Sequence, residues 1–238
     1  GEGGGTYLIA GGNDPSVGGW TVADGEQEKE ATLEIVGGST TFEGWLMHGS
    51  YNGKTSNTAD KMPQSTLRVT GGTVNFTSAL SLGRNKIGYS SFAQRSAPRV
   101  ELFGGKITTD NLYLGEDRGA HTYILITNGT MSASDVVLCG RCSGNIDTTN
   151  TLEICGSGIF YRNGALYNDD ASVFNVYVHD GGELRINTVN NSRYSDSNTS
   201  GSRVKGSTYG QINLLIDGGT MRKTNGSGSS NGAYSNVT

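Results

Sequence analysis

Short strands of alternating apolar and polar residues recur along the chain, and each runs into a corner that is rich in glycine. The alternation places every second side chain on one face, which is the pattern of a half-buried β-strand. The step from one copy to the next is about thirty residues. The seven copies have their first apolar position at Leu33, Leu67, Val100, Ile124, Leu152, Tyr177 and Leu214.

The strongest copies extend past the corner into a second strand. Residues 66–83 align without gaps on residues 99–115, and both end in a Leu-x-Leu strand closed by glycine. In the sixth copy, Tyr177 and His179 fill the apolar positions before the glycine pair. Glycine adopts backbone angles that other residues avoid, so the strand can turn sharply there. Asn128 and Asp217, at or beside a corner, are residue types that tolerate similar turns.

Self-similarity at a fixed period indicates a stacked repeat architecture, because one copy cannot bury its own apolar edge. We therefore expect an all-β fold, a parallel β-helix (β-solenoid) of about seven coils with right-handed winding, standing about 34 Å tall. An antiparallel sandwich and a propeller fit the spacing less well. Residues 31–222 would form the solenoid, residues 1–30 would be an N-terminal entry coil or edge segment, and residues 223–238 would be a Gly/Ser-rich tail or linker. Variable loops are expected at residues 84–98, 116–122, 141–150 and 190–210.

Composition and charge limit the classes of partner that the chain is expected to bind. Only 34% of the residues are hydrophobic, and glycine supplies 38 of the 238, which fits a thin core of stacked layers. The formal net charge of −4 predicts no broad attraction to nucleic acid or anionic lipid. No apolar stretch is long enough to span a membrane. The start of the chain lacks the pattern of a signal peptide, so any export signal is expected to have been removed or to lie outside this sequence.

The three cysteines are Cys139, Cys142 and Cys155, close together in sequence. They are interpreted as one local disulfide plus a spare thiol, or as three unpaired thiols; export would favour the disulfide. A zinc site would need a further ligand, and none lies near in sequence. His48, His121 and His179 occupy different points of the repeat and are interpreted as isolated polar positions. No metal and no cofactor are predicted.

The alternation of L-x-V-x-G-G-x-[ITV] with L-x-L-G resembles the repeats of bacterial surface β-helix proteins, in particular autotransporter passenger and adhesin regions. The resemblance covers about residues 30–222. It implies export to the cell surface and binding to glycans, to a host or matrix surface, or to neighbouring cells. The same pectin-lyase-like solenoid architecture also houses enzymes that cleave polysaccharides, so catalysis has to be argued from a site.

No catalytic residue is assigned from the sequence. Asn168-Asp169-Asp170 contains an adjacent carboxylate pair, which lacks the histidine and lysine partners of the solenoid hydrolases and is interpreted as a solvated turn. Glu116-Asp117-Arg118 could suggest the calcium site of a lyase, but adjacent residues on a loop point in different directions. A surface turn with a salt bridge is the simpler interpretation.

Three functions remain open at this point. The first is a non-catalytic, exported β-solenoid that acts as the stalk or adhesive region of a larger cell-surface protein. The second is a carbohydrate-active enzyme, either a polysaccharide lyase or a glycoside hydrolase. The third is a structural subunit that assembles end to end, because neither end of the chain carries an amphipathic cap over the exposed strand edges. The missing caps also suggest a piece of a longer polypeptide.

Overall fold

The structure, a computed structural model, describes residues 30–43, 45–48, 64–83, 97–115, 120–139, 148–168, 172–190 and 211–224. These residues form strands and their connections, and no helix occurs among them. The strands are β1 (Glu30–Ile35), β2 (Ser39–Phe42), β3 (Trp45–His48), β4 (Gln64–Val69), β5 (Thr73–Leu82), β6 (Ala97–Leu102), β7 (Lys106–Leu114), β8 (His121–Cys139), β9 (Thr149–Arg162), β10 (Ala165–Asn168), β11 (Val173–His179), β12 (Glu183–Ile186), β13 (Thr188–Asn190), β14 (Gln211–Asp217) and β15 (Thr220–Lys223). The all-β prediction is confirmed.

All fifteen strands belong to one curled sheet, and every strand pairing in it is parallel. Its main path runs β1-β4-β6-β8-β7-β5-β2. The strands before the corners (β1, β4 and β6) and the strands after the corners (β7, β5 and β2) are therefore joined through β8. The first part of β8 pairs with β6 and its later part pairs with β7. The sheet therefore bends within this one strand, where the chain passes the corner at Gly129.

Equivalent apolar residues of successive repeats lie side by side and form files across the sheet. In β1, β4, β6 and β8 the paired residues of one file are Ile35, Val69, Leu102 and Ile126, and all of them are buried. Beyond the corner a second buried file contains Val74, Ile107, Met131, Phe160 and Leu184. Burying a side chain of this size contributes about 2 kcal/mol relative to leaving it in water. Equivalent positions of successive repeats thus share buried files on both sides of the corner.

The backbones of successive corners are joined by hydrogen bonds, as the strands are. Gly105 has a φ of 81°, and the amide of Lys106 donates to the carbonyl oxygen of Gly72 over 2.9 Å. Left-handed backbone angles favour glycine because it has no Cβ. Asn128 and Asp217 were expected to share this role, but among the described residues other than glycine the positive φ belongs to Asp180, at 49°.

The gapless alignment of residues 66–83 on residues 99–115 is wrong by one residue. The pairing of β5 with β7 shifts between Phe76 and Ala79, which face Thr109 and Asn111. The extra residue of β5 is accommodated as a bulge, so the strand faces recover their match beyond it.

The sixth repeat is also displaced by one residue from the sequence alignment. Val176 and Val178 are buried and pair with Leu152 and Ile154, whereas Tyr177 and His179 face outward. The glycine pair begins three residues after Val178, but two residues after Val69 and Leu102, so aligning the glycine pairs displaces the strand. A slip of one residue exchanges the two faces of a strand.

Much of what the sequence assigned to loops and ends lies outside the described residues. Of residues 1–30 the structure describes Glu30, and of residues 223–238 it describes Lys223 and Thr224. The C-terminal ends of three predicted loops are strand or strand-edge positions instead, since Pro98 lies in β6, Thr122 in β8 and Asn150 in β9. In the described part of the chain, no helix has the length and apolar character to cross a membrane.

Candidate functional site

The outer face of β6, β8, β9 and β11 carries a group of interacting polar side chains. Their inward neighbours fill the buried file, so alternation directs Tyr123, Glu153 and His179 to the outside. Because the strands are parallel and in register, side chains from repeats far apart in sequence become neighbours.

Glu153 lies at the centre of this group. One of its carboxylate oxygens accepts a short hydrogen bond from the hydroxyl of Tyr123. The other oxygen lies 3.0 Å from Nε2 of His179, whose Nδ1 lies 2.7 Å from a carboxylate oxygen of Asp180. Cys155 lies beside this chain of contacts, and the potential ligand atoms of Glu153, Cys155 and His179 are all within 4.8 Å of one another. We call these three residues the Glu–Cys–His cluster.

The polar contacts continue from the cluster towards earlier repeats. The guanidinium carbon of Arg99 lies 4.8 Å from the ring centre of Tyr123, within the range of a cation–π interaction. Arg99 also approaches Glu101 at 3.5 Å, and Glu101 in turn pairs with Arg68 at 2.8 Å. The outer face is thus cross-linked along successive strands by its own side chains.

The electrostatics of the cluster favour protonated groups. The hydrogen bonds to Asp180 and to Glu153 raise the pKa of His179 above its usual range. Burial, followed by the charges of Glu153 and Asp180, raises the pKa of the Cys155 thiol. Burial and the bond to Glu153 raise the pKa of Tyr123. In neutral solution His179 is therefore more fully charged than an ordinary histidine, and Cys155 is a thiol.

The raised pKa values of Cys155 and His179 bear on covalent chemistry. A nucleophilic cysteine needs a lowered pKa, and its base needs a free lone pair. Cys155 and His179 have the opposite properties, which disfavours covalent catalysis. Independently of these shifts, a thiol, an imidazole and a carboxylate whose ligand atoms lie within 4.8 Å of one another are donor types that transition metals prefer.

A second charged group lies on the outer face after the corner. Nη2 of Arg185 donates to Glu183 over 2.6 Å, and Arg222 of the next repeat forms a close ion pair with the same carboxylate. The bond to Arg185, with support from Arg222, lowers the pKa of Glu183. Tyr161 lies beside Arg185 in the paired row and is 37% exposed.

The structure describes only some of the residues that the sequence singled out. Cys155 is a free thiol. Cys142 and the side chain of Cys139 lie outside the described part, so their pairing stays a prediction. The same holds for residues 116–118, for the carboxylate pair at 169–170 and for the side chain of His48. His121 stands half-buried at the start of β8.

Two interpretations from the sequence are wrong. Asn168 is fully buried and does not belong to a solvated turn, since its amide donates to the carbonyl oxygens of Ser172 and Gln211 over 2.9 Å each. His179 is not an isolated polar residue, because it contacts Glu153 and Asp180. The search for a metal ligand near the cysteines in sequence missed His179, which lies one repeat away. Alignment of the copies by strand face would have brought it beside Cys155.

No family model matches this chain, and no curated protein or solved structure shows significant similarity to it.

Proposed function

We propose that the chain is a β-solenoid, a parallel β-helix in which each of the repeats contributes one coil. The parallel pairing of successive repeats, the buried files and the stacked glycine corners all support this architecture. A solenoid of this kind is held together by contacts between neighbouring coils, so it behaves as a stiff column.

In this proposal the column is the non-catalytic stalk or adhesive region of a larger exported surface protein. The observation that carries the proposal is the cross-linked outer face, where Arg68, Glu101 and Arg99 satisfy one another across successive strands. The charges on such a surface are paired with one another, which suits a spacer or a docking face better than a reaction site. The resemblance of the repeat to autotransporter passenger regions supports export.

For the adhesive role we propose a carbohydrate ligand on the outer face after the corner. Tyr161 is partly exposed there and lies in one paired row with Arg185 and Arg222. An exposed aromatic ring offers an apolar surface with a polar tip, and guanidinium groups donate hydrogen bonds to oxygen atoms. This combination is suited to sugar rings and their hydroxyl or carboxylate groups.

A glycan array probed with the full chain tests the adhesive role. We expect binding that is lost in Tyr161→Ala and kept in Tyr177→Ala, a matched tyrosine on the other outer face. If no glycan binds, the proposed carbohydrate site is excluded; if an array of host proteins is also negative, the adhesive role is excluded and the stalk role remains.

The stalk role is tested separately by small-angle scattering, which should give the profile of a monomeric rod. Turnover of polyuronides, with or without calcium, would favour an enzyme instead. Growth of the particles with concentration would favour a subunit that assembles end to end.

A further inference from the structure

We propose that Glu153, Cys155 and His179 form a binding site for a divalent transition-metal ion, with Zn²⁺ as the best match. The site would use one carboxylate oxygen, the thiolate sulfur and Nε2 of the imidazole. These residues belong to β9 and β11, which pair in register, so the ligands are carried by strands rather than by loops. The inference concerns a different face from the proposed glycan site and does not depend on it.

The distances suit a small ion. Zinc binds oxygen and nitrogen at about 2.0–2.2 Å and sulfur at about 2.3 Å, so two ligand atoms of a tetrahedral site lie roughly 3.3–3.7 Å apart. Here Glu153 and His179 approach to 3.0 Å, and all three ligand atoms lie within 4.8 Å of one another. Small side-chain rotations are enough to place an ion between them. Calcium and magnesium prefer oxygen ligands, so the sulfur and nitrogen favour zinc and its neighbours.

Two further residues hold the ligands in position. Asp180 contacts Nδ1 of His179 at 2.7 Å, so the proton of neutral His179 stays on Nδ1 and the lone pair of Nε2 faces Glu153. A carboxylate that orients a histidine in this way is a common partner of zinc ligands. Tyr123 donates to the second oxygen of Glu153, which leaves the first oxygen for the metal.

The ion would replace two protons. Binding must remove the proton on Nε2 of His179 and the proton of the Cys155 thiol, and both leave to solvent as the metal–ligand bonds form. The thiolate and the carboxylate then balance the charge of a divalent ion. The other ionisable groups around the site are Tyr123 and Arg99 on the side of β8 and β6, and Asp180 and Asp217 on the side of β11 and β14.

Affinity should therefore rise steeply with pH. At a pH below the pKa values of both groups, each displaced proton contributes about a tenfold gain in affinity per pH unit, or roughly 100-fold for the two. Calorimetry in buffers of different ionisation enthalpy measures the number of protons released.

The experiment titrates Zn²⁺ and Co²⁺ into the full chain carrying Cys139→Ser and Cys142→Ser, which removes the C-x-x-C motif as a competing site. We expect one bound ion and, with Co²⁺, a thiolate-to-metal charge-transfer band in the near ultraviolet. Adding Cys155→Ser should abolish the band, and adding His179→Gln should weaken binding more than about 100-fold. Asp180→Asn should weaken it about 10- to 100-fold, as expected for a residue that positions a ligand.

His121→Gln is the matched control and should leave the affinity unchanged. Circular dichroism checks that each variant keeps its strands. If the variant lacking Cys139 and Cys142 does not fold, Cys155→Ser in the natural chain should instead lose one equivalent of bound metal. The proposal is overturned if no saturable binding is found, if the cobalt complex lacks the thiolate band, or if Cys155→Ser binds as tightly as its parent.

Discussion

At Gly105 the backbone turns with a φ of 81°, and a Cβ built there would lie 2.3 Å from the carbonyl oxygen of Gly72. We predict that Gly105→Ala destabilises the chain by about 2 kcal/mol or more, because it adds backbone strain and forces two repeats apart. Urea unfolding monitored by circular dichroism measures the change.

The control for this substitution is Gly37→Ala. A Cβ at Gly37 meets no described atom within 4 Å, and its φ is not in the left-handed region. Its effect should be smaller than that of Gly105→Ala, and within about 0.5 kcal/mol if no further segment covers this corner. Equal losses in the two variants would contradict the idea that contact between repeats makes glycine necessary.

His179 should make stability depend on pH. Folding raises its pKa above the ordinary value of 6.5, so the native chain holds this proton more tightly than the unfolded chain. The stabilisation is complete below that ordinary value and is lost as the pH rises through the native pKa. The urea midpoint of the natural chain should therefore fall over this window, measured in the absence of metal.

His179→Gln should remove this part of the pH dependence, whereas His121→Gln should retain it. An identical pH profile for the natural chain and for His179→Gln would show that the contacts with Glu153 and Asp180 contribute nothing measurable.

Within β9, neighbouring residues have opposite environments. Phe160 is fully buried in the file after the corner, and Tyr161 faces outward with 37% of its surface exposed. We predict a loss of about 3–5 kcal/mol for Phe160→Ala, because a large cavity opens between repeats. Tyr161→Ala should lose less than about 1 kcal/mol. Similar losses in urea unfolding would contradict the assigned strand face.

Alternation alone was enough to predict which residues share a file in the early repeats. Ile35, Val69 and Leu102 occupy equivalent places before corners of equal length, so aligning the glycines also aligned the strands. The method failed at Val178 because the glycine pair there begins three residues after the last buried position instead of two. Corner length depends on how the backbone stacks on the preceding repeat, which the alternation pattern does not encode.

The Glu–Cys–His cluster could not be found by spacing along the chain. Cys155 and His179 approach each other only when consecutive strands pair, and the displaced alignment had placed His179 on the inner face. Motif searches look for ligands within a few residues, whereas a parallel sheet brings ligands together from successive repeats. The strand face and the pairing register therefore both have to be known first.

The molecule as a whole should tolerate the removal of one repeat. Deleting residues 103–126 joins Leu102 to Thr127, and since Leu102 pairs with Ile126, both buried files remain aligned. We predict a folded, shorter chain with the same type of circular dichroism spectrum and a cooperative urea transition, because each repeat contacts mainly its neighbours.

Deleting residues 103–127 is the matched control. It shortens the corner by one residue and directs Met131, which is fully buried, towards the outside. This variant should aggregate or remain unfolded. If both deletions fold equally well, the pairing register does not specify the architecture.

The close contacts at the corners all run in one direction along the chain, from each glycine to the preceding repeat. The missing Cβ atoms of Gly71, Gly72 and Gly105 all point at backbone oxygens of the repeat before them, while that of Gly37 meets nothing described. The substitution Gly37→Ala would therefore test whether a further segment, from the same polypeptide or from another, covers the first corner. The added methyl group would leave stability unchanged if nothing covers this corner and would lower stability if another strand layer packs on it. The stability of this one variant would therefore show whether the first corner is covered.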